Sequence, residues 1–92
     1  MGSEDRHLVF YTRPQCHLCT VAAPRVRRAA FLTGQALQEI NIDHQPELAV
    51  DYGLRIPVVE TSEGHMLAEG EITTLRLWRA ILADRWSKTS KE

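Results

Sequence analysis

Sulfur is scarce in this chain, with two cysteines in 92 residues. A structural zinc site needs about four ligands, and His7, His17, His44 and His65 fall at no zinc-finger spacing from the cysteines, so no single-chain zinc pattern exists. Long apolar runs are missing too. Nothing approaches the length of a transmembrane helix, and Met1-Gly2-Ser3-Glu4-Asp5-Arg6 has neither a signal-peptide core nor the serine or threonine of a myristoylation signal. Net charge is also small, formally -1. That argues against a strongly basic face and against a polyanionic tail, so no nucleic-acid or membrane partner is expected. A cytoplasmic protein is expected, where thiols stay reduced and a disulfide is transient or catalytic.

What remains is ordinary globular composition, 43% hydrophobic and 25% charged, in a length that suits one domain. The informative stretch is Val9-Phe10-Tyr11-Thr12-Arg13-Pro14-Gln15-Cys16-His17-Leu18-Cys19. An apolar run ends in a polar, proline-containing loop, and the loop delivers Cys-x-x-Cys at a helix start. This pattern is a redox motif. At the first turn of a helix the unpaired N–H groups and the positive end of the macrodipole favour a thiolate, which makes Cys16 the attacking sulfur. Cys19 follows at i+3 on the same face, close enough to close a disulfide and shielded from solvent. His17 is either a cationic neighbour of the thiolate or an exposed loop histidine. Arg13 is a candidate for steering an anionic substrate, with plain surface as the alternative.

The rest of the chain alternates strand and helix. Leu8 to Tyr11 suits a central strand buried on both faces. The helix that follows puts Ala22, Val26, Ala29 and Ala30 on an inward stripe, with Arg25, Arg27 and Arg28 as its solvated side, Pro24 as a kink and Gly34 as its stop. Ala36 to Ile42 reads as a second strand, parallel to the first through a right-handed crossover. Pro46 opens a short helix with Leu48 and Tyr52 at i and i+4, and Gly53 closes it. Arg55 to Val59 begins a third strand with Pro57 at its first residue or on an edge, and Ser62-Glu63-Gly64-His65 turns it into an antiparallel hairpin with Met66 to Glu69. A last helix follows Gly70, with Leu75, Trp78 and Leu82 expected in the core and Ile81 beside them. Both tryptophans, Trp78 and Trp86, are expected to pack rather than bind. The ordered domain is expected over about residues 7–86, with a polar, disordered tail over 87–92.

The order β-α-β-α-β-β-α with Cys-x-x-Cys at the first strand-to-helix junction resembles the thioredoxin-like fold, and in particular the small bacterial glutaredoxin-like proteins. The resemblance spans about Leu8 to Trp86. It rests on the Tyr11-Thr12-Arg13 lead-in, on Cys16-His17-Leu18-Cys19, on Pro24 and on Ile56-Pro57. It implies an α/β fold with a four-stranded mixed sheet and helices on both faces, and a thiol-disulfide oxidoreductase using Cys16 and Cys19. It implies that Pro57 is cis and, with Ile56, holds an extended substrate segment through main-chain hydrogen bonds. Gly70-Glu71 stands where the family grips the γ-glutamyl end of glutathione, with Gly-Gly or Gly-x-Asp there. Leu18 stands where glutaredoxins usually have an aromatic. No bound cofactor is implied, with glutathione as a candidate co-substrate. The partners implied are protein disulfides or glutathione and a thiol reductase for regeneration, and a monomer is expected. Two alternatives stay open: a dimer sharing zinc or an iron–sulfur cluster, and a non-catalytic adaptor.

Overall fold

A computed structural model of the chain describes residues 7–90, with side chains to residue 86. Four strands form one sheet: β1 (His7–Thr12), β2 (Ala36–Asn41), β3 (Val58–Thr61) and β4 (Met66–Glu69). Their spatial order is β2-β1-β3-β4. β1 runs parallel to β2, with Leu8 opposite Leu37, and antiparallel to β3, with Phe10 opposite Val59; β3 and β4 form the hairpin. Three α-helices connect them, α1 (His17–Leu32), α2 (Pro46–Tyr52) and α3 (Thr74–Ser90). The expected mixed α/β sheet is present, with one parallel and two antiparallel strand pairs.

The period of two along β1 divides the molecule. Leu8 and Phe10, with Val59 of β3, join Ala22, Val26, Ala29 and Ala30 of α1 and Ile72, Leu77 and Ile81 in the main core. Tyr11 points the other way and stacks on Tyr52 of α2. All four residues of the α1 stripe read from the sequence are buried, because small alanines let this helix lie close to the sheet. α1 runs unbroken through Pro24 to Leu32 and is stopped just beyond the Thr33 cap by Gly34, whose φ of +69° is the left-handed conformation that glycine adopts without penalty. The Gly34 N–H donates to the Phe31 carbonyl and the Gln35 N–H to that of Ala30, so the last carbonyls of the helix are satisfied. By contrast α2 contains no buried residue.

Several expectations shift. β2 ends at Asn41, whose side chain accepts the Asp43 N–H and folds Ile42–His44 into a 3₁₀ turn, although Ile42 stays fully buried. β3 begins at Val58, so Pro57 lies just before the strand and not in it, and that strand is central rather than an edge. On α3 the core positions are Leu77 and Ile81, preceded by Ile72, whereas Leu75, Trp78 and Leu82 are exposed. The helix carries two apolar stripes, and periodicity cannot say which one meets the sheet. Contacts at its start tie it down: Arg25 of α1 donates to the Ile72 carbonyl and the Thr74 hydroxyl donates to the Arg25 carbonyl, which holds the start of α3 against α1 with Ile72, Leu77 and Ile81 in the core. Trp86 is exposed as well. The backbone of α3 continues to Ser90, through most of the expected tail; residues 91–92 lie outside the described residues.

α1 and α3 lie side by side and run the same way. Arg25 donates to the Ile72 carbonyl at 3.0 Å near the start of the pair, and Arg85 donates to the Thr33 carbonyl at 3.2 Å near its end. At the far end of the sheet His65 of the hairpin loop meets Asp84 of α3 at 3.0 Å.

Candidate functional site

The loop from Thr12 to Cys16 is short and its end is constrained. Gln15 has φ +62°, a left-handed conformation uncommon for a residue with a side chain. It turns the chain so that Cys16 becomes the N-cap of α1. The Cys16 Sγ accepts the N–H of Cys19 at 3.2 Å, and the Cys16 carbonyl accepts the N–H of Thr20 at 3.0 Å. A sulfur held this way is a helix cap, and a negative charge on it would be stabilised by the same N–H and by the helix dipole. Cys16 and Cys19 are joined as a disulfide with their Cα atoms 5.2 Å apart. Cys16 is half-buried and Cys19 fully buried, so solvent and partners reach the first sulfur.

The Ile56-Pro57 bond is cis, as expected. Extending the β1–β3 register past Tyr11 and Val58 sets Pro57 opposite Thr12, where the cysteine loop begins. The dipeptide is held on both sides. The Ile56 N–H donates to the Tyr52 carbonyl at 3.0 Å, and the Pro57 carbonyl accepts the N–H of Gly70 at 2.9 Å. Among the described residues nothing donates to the Ile56 carbonyl, whereas its N–H is already engaged.

Gly70, with φ +75°, starts the loop into α3. Gly70, Glu71, Ile72 and Thr73 form one wall of a cleft of about 330 Å³, and His17, Leu18 and Val21 form the other. Of the residues singled out in the sequence, His17, Gly70 and Glu71 are therefore brought together beside the helix start. Arg13 lies elsewhere. Its guanidinium donates twice to Asp43 Oδ1, at 3.1 and 2.7 Å, and ties the cysteine loop to the turn after β2. It is half of a surface ion pair rather than an unengaged cation.

Sequence reasoning missed the group that supports this site from behind. Tyr11 and Tyr52 stack with ring centroids 4.1 Å apart and planes 13° apart. The Tyr52 hydroxyl donates to Glu60 at 2.8 Å, and the Arg55 guanidinium lies over the Tyr52 ring while also donating to Glu69. Burial, and then the bond to Glu60, hold the Tyr52 phenol well above its ordinary value of 10.0, so it remains a donor at any physiological pH. The only sequence signal was the placement of Tyr52 one turn after Leu48. Nothing along the chain paired it with Tyr11.

For metal binding the arrangement offers little: no group of three His, Cys, Asp or Glu side chains converges among the described residues. Among the described residues, the two sulfurs are thus joined by no converging third ligand.

A family model, the glutaredoxin-like domain (DUF836), matches residues 7–85. The chain belongs to this glutaredoxin-like family. Among solved structures, the target protein XcR50 from X. campestris is 30% identical with a TM-score of 0.71, the match covering 83% of this chain and 96% of that one. Protein Ne2328 from Nitrosomonas europaea is 34% identical, with a TM-score of 0.59 over 70% of this chain and 76% of its own. A mutant thioredoxin from Halobacterium salinarum is 26% identical, with a TM-score of 0.68 over 89% and 77%. No match is found among curated proteins. The glutaredoxin-like domain here has the thioredoxin-like fold, and its adjacent Cys16 and Cys19 support a redox role.

Proposed function

We propose that this protein is a thiol-disulfide oxidoreductase that reduces disulfides in protein substrates. The observation that carries the reading is Cys16 Sγ at the first turn of α1, accepting the Cys19 N–H while Cys19 lies buried behind it. In the reduced protein the Cys16 thiolate attacks one sulfur of a substrate disulfide. The substrate S–S bond breaks, a mixed disulfide forms, and the departing thiolate takes a proton from solvent. Cys19 then loses its proton and attacks the Cys16 sulfur, which expels the second substrate thiol. Two electrons have moved to the substrate, the Cys16–Cys19 bond has formed, and an external thiol reductant must restore the dithiol.

Magnitudes show where a lowered pKa helps. A thiol of pKa ~8.5 is about 3% thiolate at pH 7, and one lowered to ~6 is about 90%, roughly a thirtyfold gain. The accompanying loss of nucleophilicity, at a Brønsted slope of ~0.4 to 0.5, returns about ten- to eighteenfold of it. Attack therefore gains only a few-fold. The larger benefit is to Cys16 as the leaving group when Cys19 displaces it.

Substrate choice follows from the cleft walls. Glu71 adds a carboxylate to the cleft where glutaredoxins grip the γ-glutamyl end of glutathione, which disfavours that anionic ligand, and Leu18 offers no aromatic face. A site whose polar groups are unmatched discriminates steeply against its ligand. An extended protein segment asks less of these side chains, because it can pair with the open Ile56 carbonyl. The test compares reduction of a protein disulfide with reduction of a small glutathione mixed disulfide. Faster turnover of the protein disulfide is expected. Robust glutathione-dependent turnover that is lost in Cys16→Ser and kept in Cys19→Ser would overturn the preference.

A further inference from the structure

The near-zero net charge conceals a strong division between layers. Over residues 17–32 and 74–86 the two long helices carry six arginines and a single carboxylate, Asp84. Elsewhere over residues 7–86 the balance reverses, with Arg13 and Arg55 against eight carboxylates. Asp84 faces His65, and Arg27 is neutralised by Glu39 of β2 at 2.7 Å. Arg28, Arg76 and Arg79 are exposed and have no carboxylate partner among the described residues. The helical layer is a basic face, which the summed charge had argued against.

This same face carries the exposed apolar side chains of the two helices. Phe31 and Leu32 end α1, at 83% and 56% exposure, and Leu75, Trp78, Leu82 and Trp86 form the second stripe of α3, from 38% to 76%. They follow helical spacing at i, i+3, i+7 and i+11, so they line one side of α3, beside the stripe of Leu77 and Ile81. A chance scatter of surface leucines does not place both tryptophans of a protein on one stripe.

We propose that the outer face of α1 and α3 docks on an anionic lipid surface. Charge selects an anionic partner, and the arrangement of the groups favours a bilayer over a protein. A protein interface gathers apolar groups at its centre with charges at the rim. Here Arg76 and Arg79 are interleaved with Leu75, Trp78, Leu82 and Trp86 along the helix. An arginine lays its methylenes among apolar neighbours while its head reaches a phosphate, and a tryptophan ring sits at the headgroup boundary. The two parallel helices then lie in the plane of the interface, apolar groups below and guanidinium groups level with the lipid phosphates. No described helix is long and apolar enough to cross a membrane, so the contact is peripheral.

Both tryptophans of the chain lie on this face, so intrinsic fluorescence reports docking directly. The full chain is mixed with vesicles of equal parts phosphatidylglycerol and phosphatidylcholine, and with vesicles of phosphatidylcholine alone. A blue shift of tryptophan emission and cosedimentation with the anionic vesicles are expected, at least about tenfold stronger than with the neutral ones and weakened by salt. Arg76→Glu with Arg79→Glu should lower the affinity by about tenfold or more. Trp86→Ser should also weaken binding, and both variants should reduce disulfides in solution at the unchanged rate. The proposal fails if anionic vesicles neither shift the emission nor sediment the protein, if neutral vesicles bind equally, or if the double charge reversal binds like the original. A shift produced by an acidic amphipathic peptide but not by vesicles would assign the face to a protein partner and overturn the lipid assignment.

Discussion

The two sulfurs of the disulfide differ in what surrounds them, and their chemistry should differ accordingly. Cys16 caps α1 and is accessible, whereas Cys19 is buried one turn in. In the reduced protein at neutral pH, alkylation should therefore modify Cys16 first. Equal rates at the two cysteines would contradict their assigned roles. The residue before them carries a second expectation. Gln15 holds a left-handed φ that costs an ordinary residue roughly 1–2 kcal/mol, and a β-branched side chain tolerates it least. Gln15 already bears that cost, so Gln15→Val should lower the unfolding free energy only by the added strain of the β-branched side chain, a fraction of that amount, in a denaturant titration. The cysteines themselves were legible from type and spacing alone. The role of Arg13 was not, because its partner Asp43 lies thirty residues away and belongs to a turn that only the fold brings near.

At the scale of elements, burial explains what the pattern could and could not reveal. α1 has one apolar stripe and was read correctly; α3 has two, and the exposed one was taken for the core. Bonds from the start of α3 to Arg25 of α1, which the apolar pattern does not encode, hold the buried face in place. Elements are also joined by pairs that titrate. Arg27 of α1 donates to both carboxylate oxygens of Glu39 on β2, and this bond holds the Glu39 pKa below its ordinary value of 4.5. A depressed folded-state value contributes stability above the unfolded pKa, and that contribution is lost as pH falls through the folded value. Both side chains are partly exposed, so solvent screening limits it to about 0.5–1 kcal/mol. Glu39→Gln should lower stability at pH 7 by no more than that and should flatten the decline of stability below about pH 4.5, measured by denaturant midpoints across pH.

Across the whole molecule, the order of strands and helices along the chain followed from alternating periodicities and the turn residues, and the main core from the stripes of β1 and α1, whereas the antiparallel pairing of β1 with β3 that sets the spatial order was not legible. The distribution of charge was not legible either, since a sum over residues carries no information about faces. The uneven core has a dynamic consequence as well. Local opening costs least where little apolar surface is covered, and α2 buries none of its residues fully while α1 buries five. In deuterium exchange the amides of Gly53 and Ile56, bonded to the carbonyls of Ala49 and Tyr52, should therefore lose their protons well before those of Ala29 and Ala30 in α1. Equal protection of the two groups would show that α2 opens only with the whole domain. If α2 opens first, the Ile56 N–H is released beside its unpaired carbonyl, so the stretch before β3 that offers one acceptor at rest would offer a donor and an acceptor while the helix is lifted.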